Sequence, residues 1–236
     1  MAIAAAAALM GAVASSLVIA ATGSVDLSDR AAIEKIVREY ILTHPEILPE
    51  AMENLRAKEL SKTVVENRAA IETPIGDAWE GAADADVTLV EFYDYACGYC
   101  RASLADIDRL LAEDKKLKIV YRDMPVLGED SLEAARLSVA AAMAGKFRTM
   151  HKPLYAAGRP APEIVEATRK RLGLDARALR APEVDRELAR NLNLQRQLDL
   201  SGTPAWVVGD KVLVGAVGYA ALKAAIVEAR AKGNKP

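Results

Sequence analysis

Apolar and polar positions change period several times along the chain, and each change marks an element. Between residues 29 and 44, Ile33, Ile36, Val37, Tyr40 and Ile41 fall on one stripe, with Asp29, Arg30, Glu34, Lys35 and Arg38 largely off it. That spacing predicts an amphipathic helix, capped by Ser28 and ended or kinked at Pro45. A second helix follows Pro49, with Met52 and Leu55 apolar, and becomes strongly polar across residues 57–70. A helix this polar is expected to pack on a partner rather than inside its own core. Thr73, Pro74 and Gly76 break it, and Trp79 begins a globular domain.

A strand-like run then takes over. Val87, Leu89, Val90 and Phe92 lie in a β-branched, apolar run that predicts a buried strand over 87–95. Behind it Ser103, Leu104, Ile107, Leu110 and Leu111 recur at helical spacing, so a helix runs from Cys97 to about Ala112. A second strand covers Leu117–Asp123 and stops at Met124 and Pro125. Residues 129–200 read as helices throughout, with Pro and Gly at their borders and Asp175 as an N-cap. Two β-branched runs flank Gly209-Asp210, a pair suited to a type II′ hairpin turn, and a helix closes the chain over 219–232. The order strand, helix, strand, helical block, hairpin, helix implies an α/β fold with a mixed sheet covered by helices.

Composition narrows the function classes. The 236 residues carry 31 basic and 33 acidic side chains, and no basic patch with interleaved aromatics appears, so no nucleic-acid partner is expected. Residues 1–25 have no charged side chain and are rich in Ala. A signal peptide, an uncleaved membrane anchor and a buried helix are the three readings of that segment. Export is preferred, with cleavage around Ala20 to Ser24, which makes the protein periplasmic.

The chain has two cysteines, Cys97 and Cys100, at the strand-to-helix junction. Three positions apart, they cannot clamp distant parts of a fold and read instead as redox or metal chemistry. The thiolate is the reactive form, and the unpaired N–H groups of a helix N-terminus favour it. Cys97, in the first turn, is then the sulfur that attacks, and Cys100, one turn on and more buried, the sulfur that resolves the mixed disulfide. Gly98 and Tyr99, between them, are the redox-tuning pair. A closed zinc site needs four ligands, and the two histidines, His44 and His151, sit in separate helical regions as surface or packing residues. Two thiolates alone could hold Cu(I). No resident metal and no cofactor is expected. Glu91 shares a strand face with Leu89 and Tyr93, where a buried carboxyl could relay a proton to or from Cys100. Asp94, close to the turn, is expected to face solvent.

With these residues in view the chain resembles the DsbA-like thiol–disulfide oxidoreductases of the thioredoxin superfamily. The matching stretches are EFYDYACGYC from Glu91, YRDMPVLGEDS from Tyr121, KFRTMHKPLY from Lys146 and SGTPAWVVGD from Ser201, in family order. The resemblance implies a thioredoxin fold with an inserted helical domain, a cis peptide at Pro204, and backbone groups at Thr203 and Pro204 that bind an extended substrate peptide. It also implies that Glu91 is the family's buried acid. The N-terminal stretch EKIVREYILTHPEILPEAMENLRAKE is similar to that of the suppressor-of-copper-sensitivity group, ScsC, some of whose members trimerise through it.

The expected organisation is a leader over 1–25, an oligomerisation segment over 26–73, thioredoxin-fold parts over 74–128 and 201–236, and a helical insertion over 129–200. The expected activity is a disulfide isomerase or reductase acting on cysteine-containing protein substrates. It would be a homo-oligomer, with a trimer favoured, kept reduced by a membrane thiol–disulfide reductant. The alternatives are a monomeric dithiol oxidase and a Cu(I)-binding protein using the same cysteines. The Gly-Tyr dipeptide departs from the Pro-His of the best-known DsbA pattern, and so from the thiolate stabilisation of strong oxidants.

Overall fold

Strand β2, Val87–Tyr93, is buried at all seven positions, so helices must cover the sheet on both faces. The computed structural model describes residues 30–233. The leader expected over residues 1–25 and the Ser28 cap lie outside them. Among the described residues no helix is long and apolar enough to cross a membrane. The described residues divide into two compact units, the first ending at Asn54 and the second starting at Leu55.

In the first unit, helix α1 spans Arg30–Thr43 and buries none of its residues. Its stripe is largely open to solvent, with Ile36, Val37 and Tyr40 each about half exposed. Helix α2, Ile47–Glu72, begins just before Pro49, which its first turn tolerates because those N–H groups have no intrahelical partner.

The second unit takes up α2 from Leu55. Val64 and Ile71 are fully buried against Val90, Phe92 and Val120. The polar stretch expected to lie on a partner is therefore held by its own sheet, because two apolar residues seven apart, on one face, are enough to dock it.

The sheet order is β1-β3-β2-β4-β5, with β1 at Trp79–Gly81, β3 at Leu117–Asp123, β4 at Ala205–Val208 and β5 at Lys211–Val214. β2 and β3 are parallel, and β1, β4 and β5 join antiparallel. β1 is a short edge strand that the hydrophobic pattern does not signal. Gly209 has φ +61° and Asp210 is not among the residues with positive φ, as a type II′ turn requires. Gly76 is irreplaceable on two grounds. Its φ is +48°, and a Cβ there would lie 1.9 Å from the Ala142 carbonyl oxygen.

Alternation divides the core. Leu89, Tyr93, Ile119, Tyr121 and Trp206 face one side, under α3 (Gly98–Glu113), α4 (Glu129–Met143), α5 (Phe147–Ala156) and α8 (Gly218–Ala231). Val90, Phe92, Val120 and Val207 face the other, under α2 and the end of α7 (Pro182–Gln197). Helix α6 (Pro162–Arg171) and a 3-10 turn at Ala176–Arg180 complete the insertion, the turn capped by Asp175 as expected. Truncating one such core residue, Phe92 to Ala, costs about 3–5 kcal/mol.

Arg122 ties these layers together. It is 2 % exposed, and its five N–H groups reach Ile71 O, Ala70 O, Thr73 O, Glu187 Oε1 and Asn191 Oδ1 at 2.6–3.0 Å. The guanidinium caps the negative end of α2 and pins α7 to the same strand.

Candidate functional site

β2 stops at Tyr93, two residues earlier than its apolar run suggests, because Asp94 turns the chain. Its Oδ1 accepts the Ala96 N–H at 2.8 Å and its carbonyl the Cys97 N–H at 3.0 Å. That local bond pattern releases the backbone from the ladder and delivers Cys97 as the N-cap of α3, with φ −82° and ψ 116°. No acidic residue occupies the first turn of α3. The Cys97 sulfur is thus the group set at the positive end of the helix, where a negative charge gains about 0.3–1 kcal/mol.

Cys97 is 6 % exposed and Cys100 fully buried, and both are free thiols. The Cys97 thiol donates to the Thr203 carbonyl oxygen at 3.3 Å. The Thr203–Pro204 peptide is cis, and Pro204 is buried. Burial, foremost, pushes the Cys100 thiol far up from its ordinary range, and the nearby charge of Glu91 adds to the cost of ionising it. Gly98 and Tyr99 are exposed between the two sulfurs, Tyr99 at 70 %, and a Cβ on Gly98 would meet nothing within 4 Å.

Glu91 is 1 % exposed, and its Oε1 has no hydrogen-bond partner. The ladders set it beside Tyr121 on β3 and Trp206 on β4. With aromatic rings in place of water, burial holds its carboxyl well above the usual range, and charge on Cys97 would raise it further. Burial makes Glu91 a stronger base than an exposed carboxylate, and it is electrostatically linked to both sulfurs. Among the described residues no cluster of three or more His, Cys, Asp or Glu could hold a metal ion.

Two side chains escape the sequence reading. Asp94, expected at the surface, is 2 % exposed, because Val126 N–H and Leu127 N–H both donate to its Oδ2, at 2.9 and 3.1 Å. An Asp two residues ahead of a turn N–H is a recognisable Asx signal. Tyr155, from the insertion, donates its O–H to the Asp94 carbonyl at 3.2 Å, and nothing in the sequence pattern announces it. His151 is a packing residue: it stacks on Phe147, and Tyr95 O–H shares a 2.8 Å hydrogen bond with its Nδ1. Burial lowers its pKa to about 3. Asp123, also buried, is raised to about 8.

Residues 88–227 match the DSBA-like thioredoxin domain family, and residues 29–59 match the copper resistance protein ScsC N-terminal domain. A thioredoxin-like oxidoreductase from Silicibacter pomeroyi is 36 % identical and superposes with a TM-score of 0.65 over 70 % of this chain and 98 % of its own. A linker-deleted form of Proteus mirabilis ScsC is 26 % identical, with a TM-score of 0.69 over 89 % of this chain and 99 % of its own. The Na(+)/H(+) antiporter NhaA 3 of Salinispora tropica is 31 % identical over 170 residues, 68 % of this chain. The chain spans only about a quarter of the length of such curated relatives, 26 % in that case.

Proposed function

The chain belongs to the DsbA-like thioredoxin family of thiol–disulfide oxidoreductases, and on that footing we propose that it is a periplasmic protein disulfide isomerase or reductase working through Cys97 and Cys100. The observation that carries this is the Cys97 sulfur at a helix N-cap, hydrogen bonded to the Thr203 carbonyl beside Pro204. A substrate strand can replace that bond with its own backbone N–H and bring a sulfur to the thiol.

In the reaction, the Cys97 thiolate attacks one sulfur of a substrate disulfide. That S–S bond breaks as a mixed disulfide forms, and the departing substrate sulfur takes up a proton. Cys100 then gives its proton to an ionised Glu91 and attacks the Cys97 sulfur. The second substrate thiol leaves and two electrons have passed to the substrate. For isomerisation, another substrate thiol releases Cys97 instead, with no net electron transfer. The buried, protonated Cys100 favours the second course by delaying resolution. A membrane thiol–disulfide reductant returns the pair to the dithiol form. Gly98 and Tyr99 tune the pair through their place between the sulfurs.

The open apolar stripe of α1 supports oligomerisation through the N-terminal segment, with a trimer favoured. Several dithiols around one substrate would suit isomerisation. Refolding of a scrambled-disulfide protein tests the reading. Activity should need Cys97 and should fall when residues before Leu55 are removed, a cut that spares the core residues Val64 and Ile71. Isomerase activity unchanged by that cut would overturn the oligomer argument, and a strongly oxidising potential with a monomeric mass would favour the dithiol oxidase. The match to a copper resistance N-terminal domain supports a second reading, Cu(I) held by the two thiols. A Cu(I) titration compared with and without Cys97 addresses it.

A further inference from the structure

Asp94 is bonded on every side to the loops around the Cys97 sulfur. Its Oδ1 accepts the Ala96 N–H at 2.8 Å, and its Oδ2 accepts the N–H groups of Val126 and Leu127 at 2.9 and 3.1 Å. Its carbonyl accepts the Cys97 N–H at 3.0 Å and the Tyr155 O–H at 3.2 Å. One buried residue therefore fixes both the start of α3 and the loop that follows β3. Burying a carboxylate is costly unless hydrogen bonds replace its water, and here three backbone N–H groups do so. That loop turns two aliphatic side chains outward: Val126 is 41 % and Leu127 46 % exposed. Its backbone is held by a charged hydrogen-bond acceptor while its side chains are left open. The combination suits a surface whose position matters to something that lands on it.

We propose that Asp94 is a positioning residue for thiol–disulfide exchange: its carboxylate holds the Val126 and Leu127 loop in register with the Cys97 thiol, so that a peptide substrate is gripped while its sulfur is exchanged. The proposal rests on the exchange reading above. Asp94 moves no proton, since both its oxygens are occupied by backbone N–H groups. The bonds made and broken stay among the sulfurs, and the two electrons pass from Cys97 and Cys100 to the substrate.

Asp94→Asn is the direct test, because the isosteric amide keeps one acceptor oxygen and turns the other into a donor facing N–H groups. The reduced full-length chain is assayed with a disulfide-bonded peptide and with hydroxyethyl disulfide. The peptide KM rises roughly fivefold to tenfold in the variant, a clearly larger loss than the small-disulfide rate shows. Should Asp94→Asn fail to fold by circular dichroism, Val126→Ala with Leu127→Ala, both at exposed positions, must raise the same peptide KM. Equal losses toward both substrates, or an unchanged peptide KM in a folded variant, overturn the proposal. Failure of the wild-type chain to react with hydroxyethyl disulfide overturns the exchange reading itself, and this inference with it.

Discussion

The thiol of Cys97 donates a hydrogen bond to the carbonyl oxygen of Thr203, 3.3 Å away and 106 residues later in the chain. This contact joins the sulfur to a backbone acceptor that an extended peptide could use. It needs β2, α3 and β4 in their observed register, which is why it appears only once the whole sheet has formed.

The two sulfurs should separate on substitution. Cys97→Ser abolishes exchange with a peptide disulfide. Cys100→Ser still forms the mixed disulfide but cannot resolve it, so a covalent complex accumulates on non-reducing gels and in intact mass spectra. Trapping through Cys100 in the Cys97→Ser chain would reverse the assigned roles.

Glu91→Gln should slow the resolving step roughly tenfold or more, since a proton acceptor for Cys100 is lost. Stability responds in a defined direction as well. The folded pKa of Glu91 lies well above the ordinary 4.5, so its contribution is complete below about pH 4.5 and is lost as pH rises through the folded value. The Gln variant lacks that loss and gains on wild type as pH increases. Stopped-flow exchange and urea unfolding across pH read the two effects. Equal resolution rates would remove Glu91 from the proton route.

A pH profile of stability should bend at both ends. Asp123, whose pKa is raised from 3.8 to about 8 by burial, contributes fully below its unfolded value and loses that contribution as pH rises through about 8. His151, lowered to about 3 by burial, contributes above its unfolded 6.5 and loses that contribution as pH falls toward about 3. Asp123→Asn should flatten the alkaline limb and His151→Gln the acid limb, as read by denaturant midpoints. An Asp123→Asn chain with an unchanged alkaline limb would show that another group sets it.

Arg122→Ala should be among the most damaging single changes away from the sulfurs. It leaves the buried Glu187 carboxylate with Arg190 as its remaining cation and strands three carbonyls at the end of α2. The expected loss is about 3–5 kcal/mol, with α2 fraying first. Denaturant unfolding gives the total, and hydrogen exchange in Leu55–Glu72 gives the order. Early exchange confined to the insertion would place the weakness elsewhere.

Much of the fold was legible because its signals are local. The buried run ahead of Cys97, the helical spacing behind it, the Gly209 turn and the Asp175 cap each follow from neighbours in sequence. Cys97 and Glu91 could be singled out by residue type and place in the strand-to-helix run, and Thr203 through the family resemblance. What escaped depends on the tertiary surroundings. Asp94 reads as a surface acid until the loop after β3 folds over it, and Tyr155 approaches the site only when the insertion packs down. The polar half of α2 misled for the same reason: Val64 and Ile71 look too few to dock a helix until the facing apolar side of the sheet is known.

The near-complete cover over Cys97, only 6 % exposed, bears on which proteins can be its clients. A residue so little exposed is hard to engage for a cystine lodged in a finished domain. It can be reached by a segment able to stand clear of its parent structure, as in a chain still folding or wrongly cross-linked. Such a protein would sort its clients by their state of folding before any electron moves.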